Sequence, residues 1–529
     1  MVQPDDDPPA PADADDPPTP ADADTEQPAK QPWPRRRILY YGATATAALA
    51  VGTCIGAAGQ RWLEQGDVPP SLTPHGVLDD ASRLNATPVR GVLYAGRSNE
   101  SIRDLLRPLL SRIRRGEDPP LAVCGVRHSM GGQSMQRGGW VLDMQPMNDI
   151  ALDSHNRVVR VGAGATWREI IPILNAAGFA PTVMQSNHDF SVGGSLSVNC
   201  HGWHTDSQPI ASTVRSLRVL TADGDVLMCS PQENEELFGL ALGGYGMFCI
   251  ILEADLDVVP NVLFTPEFTT VSTSDYARAF AERVYAADSK VEMAYGRLAV
   301  DPDSLLEDAI IGTFSPVPDT RGNVLPLTGE LDPELARAIY RNSVDSDFGK
   351  TLRWWLERRA GPWLANPASR NSLLNEPAAV FSNNTQDTTD ILHEYFVPQD
   401  KLGEFARQAK EIIARARGNL INVTVRDVRR DTRSTLAYAR QDVFGLVMSF
   451  VQRRSADAEQ RMQAMTRALI DAAIAVGGTF YLPYRLHAST EQLRRAYPAW
   501  DSAMRAKSRY DPDGIFRNGL YEAYGRATG

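Results

Sequence analysis

Two glycine-rich stretches decide the fold of this chain: Val123-Cys-Gly-Val-Arg-His-Ser-Met-Gly-Gly-Gln-Ser134 and, further along, Val192-Gly-Gly-Ser-Leu-Ser-Val-Asn-Cys-His-Gly202. Glycine lets backbone amides approach an anion closely, so two such turns can hold a pyrophosphate without lysine or arginine. Neither stretch matches the nucleotide-binding fingerprints G-x-G-x-x-G or G-x-x-x-x-G-K-[ST]. Together they indicate a flavin site.

Size and charge set limits on what the chain can be. With 529 residues and 43% hydrophobic content, it can bury a large core divided into two or three folded units. Residues 1–34 hold nine acids against Lys30, a net −8 of the total −11, which leaves −3 for the rest. A nearly neutral body without a basic cluster excludes nucleic acid as a partner.

The cysteines and histidines point to neither a disulfide framework nor a metal site. No C-x-x-C pair occurs among the five cysteines, which are Cys54, Cys124, Cys200, Cys229 and Cys249. We expect buried free thiols, because their surroundings are apolar or glycine-rich. Cys200 with His188, His201 and His204 fits no standard zinc spacing, so these residues are interpreted as loop residues beside a cofactor.

The N-terminal region predicts a tail and a membrane-directed segment. Residues 1–34 are mostly Pro, Asp and Ala, too poor in apolar side chains to fold. Three arginines then precede the uncharged residues 38–60, which are long enough to span a bilayer. Residues 35–62 are predicted to be a twin-arginine-type export signal or an uncleaved anchor, with a buried core helix as the remaining alternative. Either membrane-directed interpretation places the catalytic part outside the cytoplasm.

Residues 83–260 show mixed helix and strand patterns around the glycine turns. The predicted strands are 89–94, 121–126, 158–161, 213–220, 226–229 and 247–254, and the predicted helices are 101–115 and 166–177. Thr166 and Glu169 stand at the spacing of a capping box. Strands 213–220 and 226–229 flank Ala222-Asp-Gly224 as in a hairpin.

Residues 261–480 combine longer helices with strands and therefore predict an α+β domain. The predicted helices are 332–341, 349–359, 402–417 and 457–476, and the strands are 392–397, 421–425 and 443–451. A final segment, 481–529, has a predicted helix near 491–510.

These parts resemble the vanillyl-alcohol-oxidase and para-cresol-methylhydroxylase (PCMH) type of FAD-dependent oxidoreductase over nearly all of residues 83–529. The resemblance is carried by Gly125-Val-Arg-His-Ser129 and Gly243-Gly-Tyr-Gly-Met-Phe-Cys-Ile250. It implies an α+β fold with a bipartite PCMH-type FAD-binding domain (83–260). It also implies an α+β substrate cap domain (261–480) and a C-terminal segment (481–529) that returns to the FAD domain.

The resemblance also implies a covalent cofactor. In many members of the family, a histidine in a Gly-x-x-His-Ser context is bonded to the 8α-methyl of FAD, and here that histidine is His128. A neutral imidazole can attack the activated methyl of the flavin. The alternative is that His128 only hydrogen-bonds the flavin or its own loop.

Further cofactor contacts follow from the two glycine turns and the C-terminal segment. Backbone from Gly131 to Ser134 is expected to wrap the pyrophosphate, and the second turn closes the other side. The full predicted set is Gly125, Arg127, His128, Ser129, Gly131, Gly132, Gln133, Ser134, Ser186, Gly193, Gly194, Ser197, His201, Gly202, Ile250 and Asn518.

Catalysis in this family is hydride removal by flavin N5, so the protein must orient a substrate, take a proton where needed and stabilise charge. The candidates are Arg426, Tyr484, Glu394 and His487. Arg426 stands where alditol and aldonolactone oxidases carry a Glu-x-Arg pair, and the base of cytokinin dehydrogenases is replaced by Ser186. The alternatives are an ion pair in the cap for Glu394 and a structural role for His487.

The sequence therefore predicts an exported or membrane-anchored FAD-dependent oxidoreductase that acts on a small molecule. Its electron acceptor is left open between dioxygen, a quinone and a cytochrome. One alternative is a lipid-linked sugar oxidase resembling decaprenylphosphoryl-ribose oxidase, on the stretch from His201 to Gly224, although that group lacks the histidine at position 128. The other is a non-catalytic, membrane-anchored flavin-binding protein.

Overall fold

The computed structural model describes residues 76–327, 340–359, 366–378, 383 and 385–528. The predicted tail 1–34, the segment 35–62 with the span 38–60, and nearly all of the predicted helix 332–341 lie outside these ranges. No helix within them is long and apolar enough to cross a bilayer. All of the described residues belong to one compact unit.

A parallel βαβ unit leads into the first glycine-rich stretch. After a short ribbon of β1 (Val77–Leu78) and β2 (Thr87–Pro88) come β3 (Gly91–Tyr94), α1 (Asn99–Arg114), β4 (Leu121–Cys124) and β5 (Trp140–Asp143). The sheet order is β3-β5-β4, with all strands parallel. The apolar residues of α1 recur at helical spacing, and the buried face holds Ile102, Leu106, Leu109, Leu110 and Ile113. The glycine stretch therefore begins where β4 ends.

A second, antiparallel sheet carries the other glycine stretch. Its elements are β6 (Ile150–Asp153), β7 (Val158–Gly162), α2 (Trp167–Ala176), β8 (Phe179–Pro181), α3 (Val192–Val198), β9 (Val214–Leu220), β10 (Val226–Cys229), α4 (Glu235–Ala241) and β11 (Ile250–Pro260). The order is β10-β9-β11-β7-β6, with β8 paired to β11. Val192 opens α3, so the glycines of this stretch form the first turn of a short helix. These two sheets make up the first lobe, residues 76–260.

The local predictions in the first lobe are largely confirmed. The Glu169 carboxylate accepts hydrogen bonds of 2.8 Å from both the amide and the hydroxyl of Thr166, as expected of a capping box. Strands β9 and β10 form the predicted antiparallel hairpin. The strand predicted from Met247 starts instead at Ile250, because the glycine turn has positive φ angles as far as Gly246 and the chain straightens only after it.

The second lobe, residues 263–480, is built on one eight-stranded antiparallel sheet. Its strands are β12 (Leu263–Ser272), β13 (Met293–Leu298), β14 (Asp308–Pro316), β15 (Ala368–Ser369), β16 (Thr388–Pro398), β17 (Asn419–Val428), β18 (Val443–Arg453) and β19 (Thr479–Phe480). The order is β15-β12-β14-β13-β17-β18-β16-β19. The helices are α5 (Tyr276–Val284), α6 (Asp347–Arg359), α7 (Arg370–Leu374), α8 (Leu402–Ala416) and α9 (Ala456–Ala475). Sheets and helices alternate irregularly, which confirms the α+β fold class.

The last segment returns to the first lobe. It contains α10 (Thr490–Ala496), α11 (Trp500–Tyr510) and α12 (Gly519–Tyr524). The single helix predicted near 491–510 is divided in two, because Pro498 cannot continue a helix. Beyond α11, the amide of Leu121 donates to the carbonyl of Ile515 over 2.8 Å, and the amide of Arg517 donates back to Leu121 over 3.0 Å. One hydrophobic cluster runs through both lobes and this segment.

Candidate active site

The loop after β4 offers a run of unpaired backbone amides. From Gly125 to Ser129, no amide donates a hydrogen bond to any described residue. Arg127 has a φ of 53°, which turns successive amides inward, and its guanidinium lies 3.7 Å from the Asp143 carboxylate, on the strand side of the loop. Successive amides in such a turn form an anion-binding nest.

The second glycine stretch lies directly against this loop. A side chain at Gly125 would overlap the hydroxyl of Ser191, the residue before α3. The Gly194 amide, like those of the first loop, donates to no described group, whereas the Gly193 amide donates to the carbonyl of Ala163 over 2.8 Å. The two turns that the sequence paired are therefore adjacent, with free amides on both.

His128 projects from the first loop onto the second. Its ring centroid lies 4.5 Å from that of Phe190. Burial lowers the pKa of His128 below its ordinary value, and the nearby Asp189 only partly opposes this. Asp189 is itself held by Arg168 and by the amide of Ala378 at 2.5 Å. At neutral pH the imidazole is therefore uncharged, the form that can act as a nucleophile.

The glycines that follow in the first stretch have a different role. The Gly131 amide donates to Gln133 Oε1 over 2.8 Å, and the Gly132 amide donates to the buried Asp80 carboxylate over 2.9 Å. Gln133 Nε2 donates to the carbonyls of Leu482 and Tyr484 over 2.6 and 2.9 Å. The Gln133 side chain therefore clamps the C-terminal segment, while the amides of Gln133 and Ser134, like those from Gly125 to Ser129, donate to no described group.

Asn518 fixes the point where the C-terminal segment meets the glycine turns. Its side-chain amide donates to the carbonyl of Tyr245 over 2.7 Å, while its oxygen caps α12 by accepting from Tyr521. The amide of Tyr245 donates in turn to the carbonyl of Ser197 over 3.0 Å. Both side-chain ends of Asn518 are thus used to hold protein segments together.

Three other predicted cofactor residues line or support the same region. A side chain at Gly202 would overlap the carbonyl of Met184, so only glycine fits there. Ile250 is buried and pairs with Leu220 at the start of β11. The hydroxyl of Ser134 is buried and has no partner in the described part of the chain.

A buried polar cluster lies where β16, β17 and the C-terminal segment meet the second glycine stretch. Glu394 on β16 is 3% exposed, and it accepts a hydrogen bond from the Tyr484 hydroxyl over 3.2 Å. His201 Nε2 lies 2.6 Å from the other carboxylate oxygen, off the line of an ideal hydrogen bond. Burial, with the charge of Glu394, raises the pKa of Tyr484 well above its ordinary value, so Tyr484 stays a phenol and a donor.

Arg426 on β17 completes this cluster. Its Nη2 donates to the Ser186 hydroxyl over 2.8 Å, and its guanidinium lies 5.3 Å from the centre of the Trp203 ring. Nη1 is buried and unpartnered, and no described carboxylate lies within ion-pair distance. Burial lowers the pKa of Arg426 to about 10, so the side chain is still a cation at neutral pH. A cation held this way can bind an acceptor or stabilise a developing negative charge.

His487 lies in a separate network. Its Nε2 lies 2.8 Å from Glu459 and its Nδ1 lies 2.9 Å from the hydroxyl of Thr466. Arg485 binds the same carboxylate. No hydrogen bond or ion pair found among the described residues joins His487 to Arg426 or Glu394. The structure therefore brings three of the four predicted catalytic residues together and places the fourth, His487, in a buried network with Thr466 and Glu459 of α9.

Sequence reasoning missed Glu376 and the unpaired indole N–H of Trp203. Glu376 is exposed as a residue, but desolvation of its carboxyl raises its pKa above the ordinary value, and the positive charge of Arg426 partly offsets this rise. It reaches the site on a loop for which no motif gave a signal. The Trp203 ring packs 4.7 Å from the Tyr295 ring, and its N–H is buried without a partner in the described ranges.

These observations fit FAD, which supplies a hydride acceptor, N5, when bound. The amides from Gly125 to Ser129 and of Gly194 would hold the pyrophosphate, and His128 would face the ring. Buried donors without a described partner, such as those on Arg426 and Trp203, lower the stability of a fold unless a ligand accepts a hydrogen bond from them. Their presence is consistent with a site that receives a ligand.

Comparison with known proteins agrees with this site. Residues 109–230 match a family model described as an FAD binding domain. An uncharacterized oxidoreductase, ORF5 of the fasciation locus of Rhodococcoides fascians, is 26% identical over 75% of this chain and 87% of its own length. Cytokinin dehydrogenase 10 of Oryza sativa subsp. japonica is 25% identical over 78% and 81%, respectively. Decaprenylphosphoryl-beta-D-ribose oxidase of Mycolicibacterium smegmatis is 23% identical over 75% and 87%.

The matched family model spans both glycine turns, and the similarities to these relatives cover 75% to 78% of the chain. The nest of free amides, the adjacent imidazole and these relatives lead to one conclusion. The chain is an FAD-dependent oxidoreductase that is similar to enzymes of the PCMH type.

Proposed function

We propose that this enzyme carries FAD linked covalently through His128 and oxidises a small molecule held between Arg426, Glu394 and Tyr484. The observation that carries the proposal is the buried cluster of these three side chains, in which Arg426 Nη1 has no described partner. An inert flavin-binding module would gain nothing from a buried cation without a counter-ion, since such a group costs folding energy. The cluster therefore favours an enzyme over a binding protein.

Each residue has a role that its surroundings allow. Arg426 directs Nη1 as a permanent donor to an oxygen or nitrogen of the substrate. Tyr484 keeps its proton and orients the carboxylate of Glu394, which is buried. Gln133 holds the backbone of Tyr484 at the edge of the site.

Two observations support the covalent link at His128. Burial keeps the imidazole neutral, and the ring rests on Phe190 beside the unpaired amides of its own loop. In the link, a ring nitrogen of His128 would replace one hydrogen of the 8α-methyl; the protons would be released, and the electron pair of the broken C–H bond would pass to the flavin ring and then to the electron acceptor. Such a C–N bond would prevent loss of the cofactor outside the cell.

The test is the visible spectrum of the purified full chain, followed by acid precipitation. A yellow pellet from the wild type and a colourless pellet from His128→Ala is the expected result. His155→Ala, which removes an exposed histidine from a turn of the first lobe, is the matched control and should stay yellow. Flavin released into the supernatant by the wild type would refute the link but keep the cofactor, and absence of any flavin would refute the proposal.

We also propose that residues 38–60 attach the enzyme to a membrane, or direct its export, with the catalytic part outside the cytoplasm. The support is the sequence alone: an uncharged stretch behind three arginines. Fractionation of cells that express the full chain tests this. Activity in the alkali-washed membrane or the exported fraction is expected, and activity only in the cytosol would contradict it.

The substrate and the electron acceptor are tested on the same protein. Anaerobic bleaching of the flavin by a cytokinin would favour the cytokinin dehydrogenase activity for which one group of relatives is named. Bleaching by decaprenylphosphoryl-β-D-ribose would favour the second candidate, a lipid-linked sugar oxidase, which the similarity over 87% of that relative supports. Reoxidation of the bleached enzyme by dioxygen, a quinone or a cytochrome then identifies the acceptor.

A further inference from the structure

His201 has a ring whose two nitrogens differ sharply in their surroundings. Nε2 lies 2.6 Å from a carboxylate oxygen of Glu394, and the two side chains are 7% and 2% exposed. Because a lone pair on Nε2 would repel the carboxylate at this distance, we assign the ring proton to Nε2, with its N–H directed off the line to the oxygen. In a neutral imidazole, Nδ1 then carries the free lone pair.

That lone pair has no partner inside the protein. Nδ1 is buried and accepts no hydrogen bond from any described group. The nearest rings cannot supply one, because the Tyr438 hydroxyl donates to the carbonyl of Asn199 over 2.8 Å and the Tyr481 hydroxyl donates to that of Val198 over 2.9 Å. An unmet buried acceptor costs about 1–3 kcal/mol.

The ring is nevertheless held firmly in place. Phe396 meets it edge-on at 5.3 Å between centroids, and the Tyr438 and Tyr481 rings lie at 5.8 and 5.9 Å. Contacts with these three rings and with the Glu394 carboxylate fix the orientation of the imidazole. This is the arrangement of a general base with its orienting acid.

The other polar side chains of the cluster cannot take a proton as readily. Tyr484 already holds its own proton and donates it to Glu394. Arg426 is a cation. One oxygen of Glu394 accepts a hydrogen bond from Tyr484, and the other lies 2.6 Å from His201 Nε2, at the edge of the imidazole opposite to the one from which Nδ1 would contact a substrate.

We propose that His201 is the proton acceptor of this enzyme, oriented by Glu394. The proposal rests on the proposed function and adds to it a substrate class: a molecule with an O–H or N–H on the carbon that is oxidised, namely an alcohol, a lactol or an amine. The C–H bond breaks and its hydride leaves with both electrons to the flavin. The O–H or N–H bond breaks, its proton goes to Nδ1, and a C=O or C=N bond forms. Arg426 stabilises the negative charge that develops on the substrate oxygen or nitrogen as it loses its proton, and Glu394 stabilises the imidazolium.

The first test is the ring ¹⁵N spectrum of the full-length holoenzyme labelled at histidine. His201→Gln identifies the two signals of His201 by difference, and His204→Gln is the control, a buried histidine of the same turn that does not contact Glu394. The expected result is an unprotonated Nδ1 and a protonated Nε2. A protonated Nδ1 in the wild-type enzyme would overturn the proposal, whether or not a substrate has been found.

The second test separates a base from a structural histidine. In His201→Ala, the rate of anaerobic flavin bleaching by a panel of primary alcohols, lactols and amines should fall about 10²- to 10⁴-fold, with little change in substrate binding. Added imidazole should restore the rate in a saturable manner. An unchanged rate, or a loss that imidazole does not restore while the pellet stays yellow, would contradict the role. A colourless wild-type pellet would instead count against the covalent cofactor alone.

Discussion

Arg426 combines a cost in folding stability with the substrate-binding role that we propose for it. Its guanidinium is buried, its Nη1 is unpartnered and only the Ser186 hydroxyl accepts from it among the described residues. Replacing such a cation with an apolar side chain of similar length should stabilise the fold, because the desolvation penalty disappears. The same change removes the donor that we propose for the substrate.

We therefore expect Arg426→Met to raise the free energy of unfolding by about 1–4 kcal/mol. The rate of flavin bleaching should fall about 10²- to 10³-fold, as for loss of one charge-stabilising donor. Urea denaturation and stopped-flow absorbance measure the two effects. Arg429→Met is the matched control, since Arg429 lies at the end of the same strand region, pairs with Asp206 and Asp442, and should leave the rate unchanged. A less stable Arg426→Met variant with full activity would contradict both roles.

Glu459 predicts a pH dependence of stability. Burial tends to raise its pKa, but the bonds from His487 and Arg485 outweigh burial and lower it to about 2, from an ordinary value of 4.5. A carboxyl whose pKa is lower in the folded state binds protons more readily when unfolded. Its contribution to stability is thus complete above about pH 4.5 and is lost as the pH falls towards about 2.

This contribution is at most about 3 kcal/mol, from the size of the shift. Measured by urea denaturation from pH 6 downward, the difference between wild type and Glu459→Gln should therefore shrink as the solution becomes more acidic. Other carboxyls titrate in the same range, and only the difference between the two proteins isolates Glu459. A difference that stays constant down to pH 2 would refute the assignment.

At the scale of elements, the capping box at the start of α2 tests local sequence reasoning. Glu169 accepts from the Thr166 amide and hydroxyl, which otherwise have no partner at the helix start. Glu169→Ala should lower the free energy of unfolding by about 0.5–2 kcal/mol. Glu235→Ala removes an acid from the first turn of α4 that makes no comparable bond with a described residue. This change should lower the free energy of unfolding by only a few tenths of a kcal/mol. Equal losses in urea denaturation would show that charge, not capping, matters.

Sequence patterns predicted elements well where the cause was local. The capping residues of α2 and the turn at Ala222-Asp-Gly224 act within a few positions, and both elements formed as expected. The predicted helix near 491–510 was wrong in its middle, where Pro498 was overlooked. The site was partly predictable, because the glycines indicated a nest of backbone amides and the motif around them singled out His128. Glu376 was not, since only tertiary folding brings its loop to Arg426.

On the scale of the whole molecule, the site is assembled from distant parts of the chain. The glycine turns come from the first lobe, Glu394 and Arg426 from the sheet of the second lobe, and Tyr484 from the C-terminal segment. Gln133 and the Gly519 amide, which donates to the carbonyls of Gly132 and Met135, tie that segment to the first glycine loop. A cofactor bound among these parts should therefore stabilise the whole unit.

The last prediction follows from how the cofactor is attached. A covalently held FAD cannot dissociate, so the melting temperature of the wild type should not depend on added FAD. In His128→Ala the cofactor binds reversibly, and free FAD at 100 times its Kd should add about 2.7 kcal/mol of stability by mass action. Differential scanning fluorimetry over a range of FAD concentrations should therefore give a flat line for the wild type and for His155→Ala, and a rising curve for His128→Ala. A wild type whose melting temperature rises with added FAD would show that the cofactor exchanges, and a flat line for His128→Ala would show that its site no longer binds FAD.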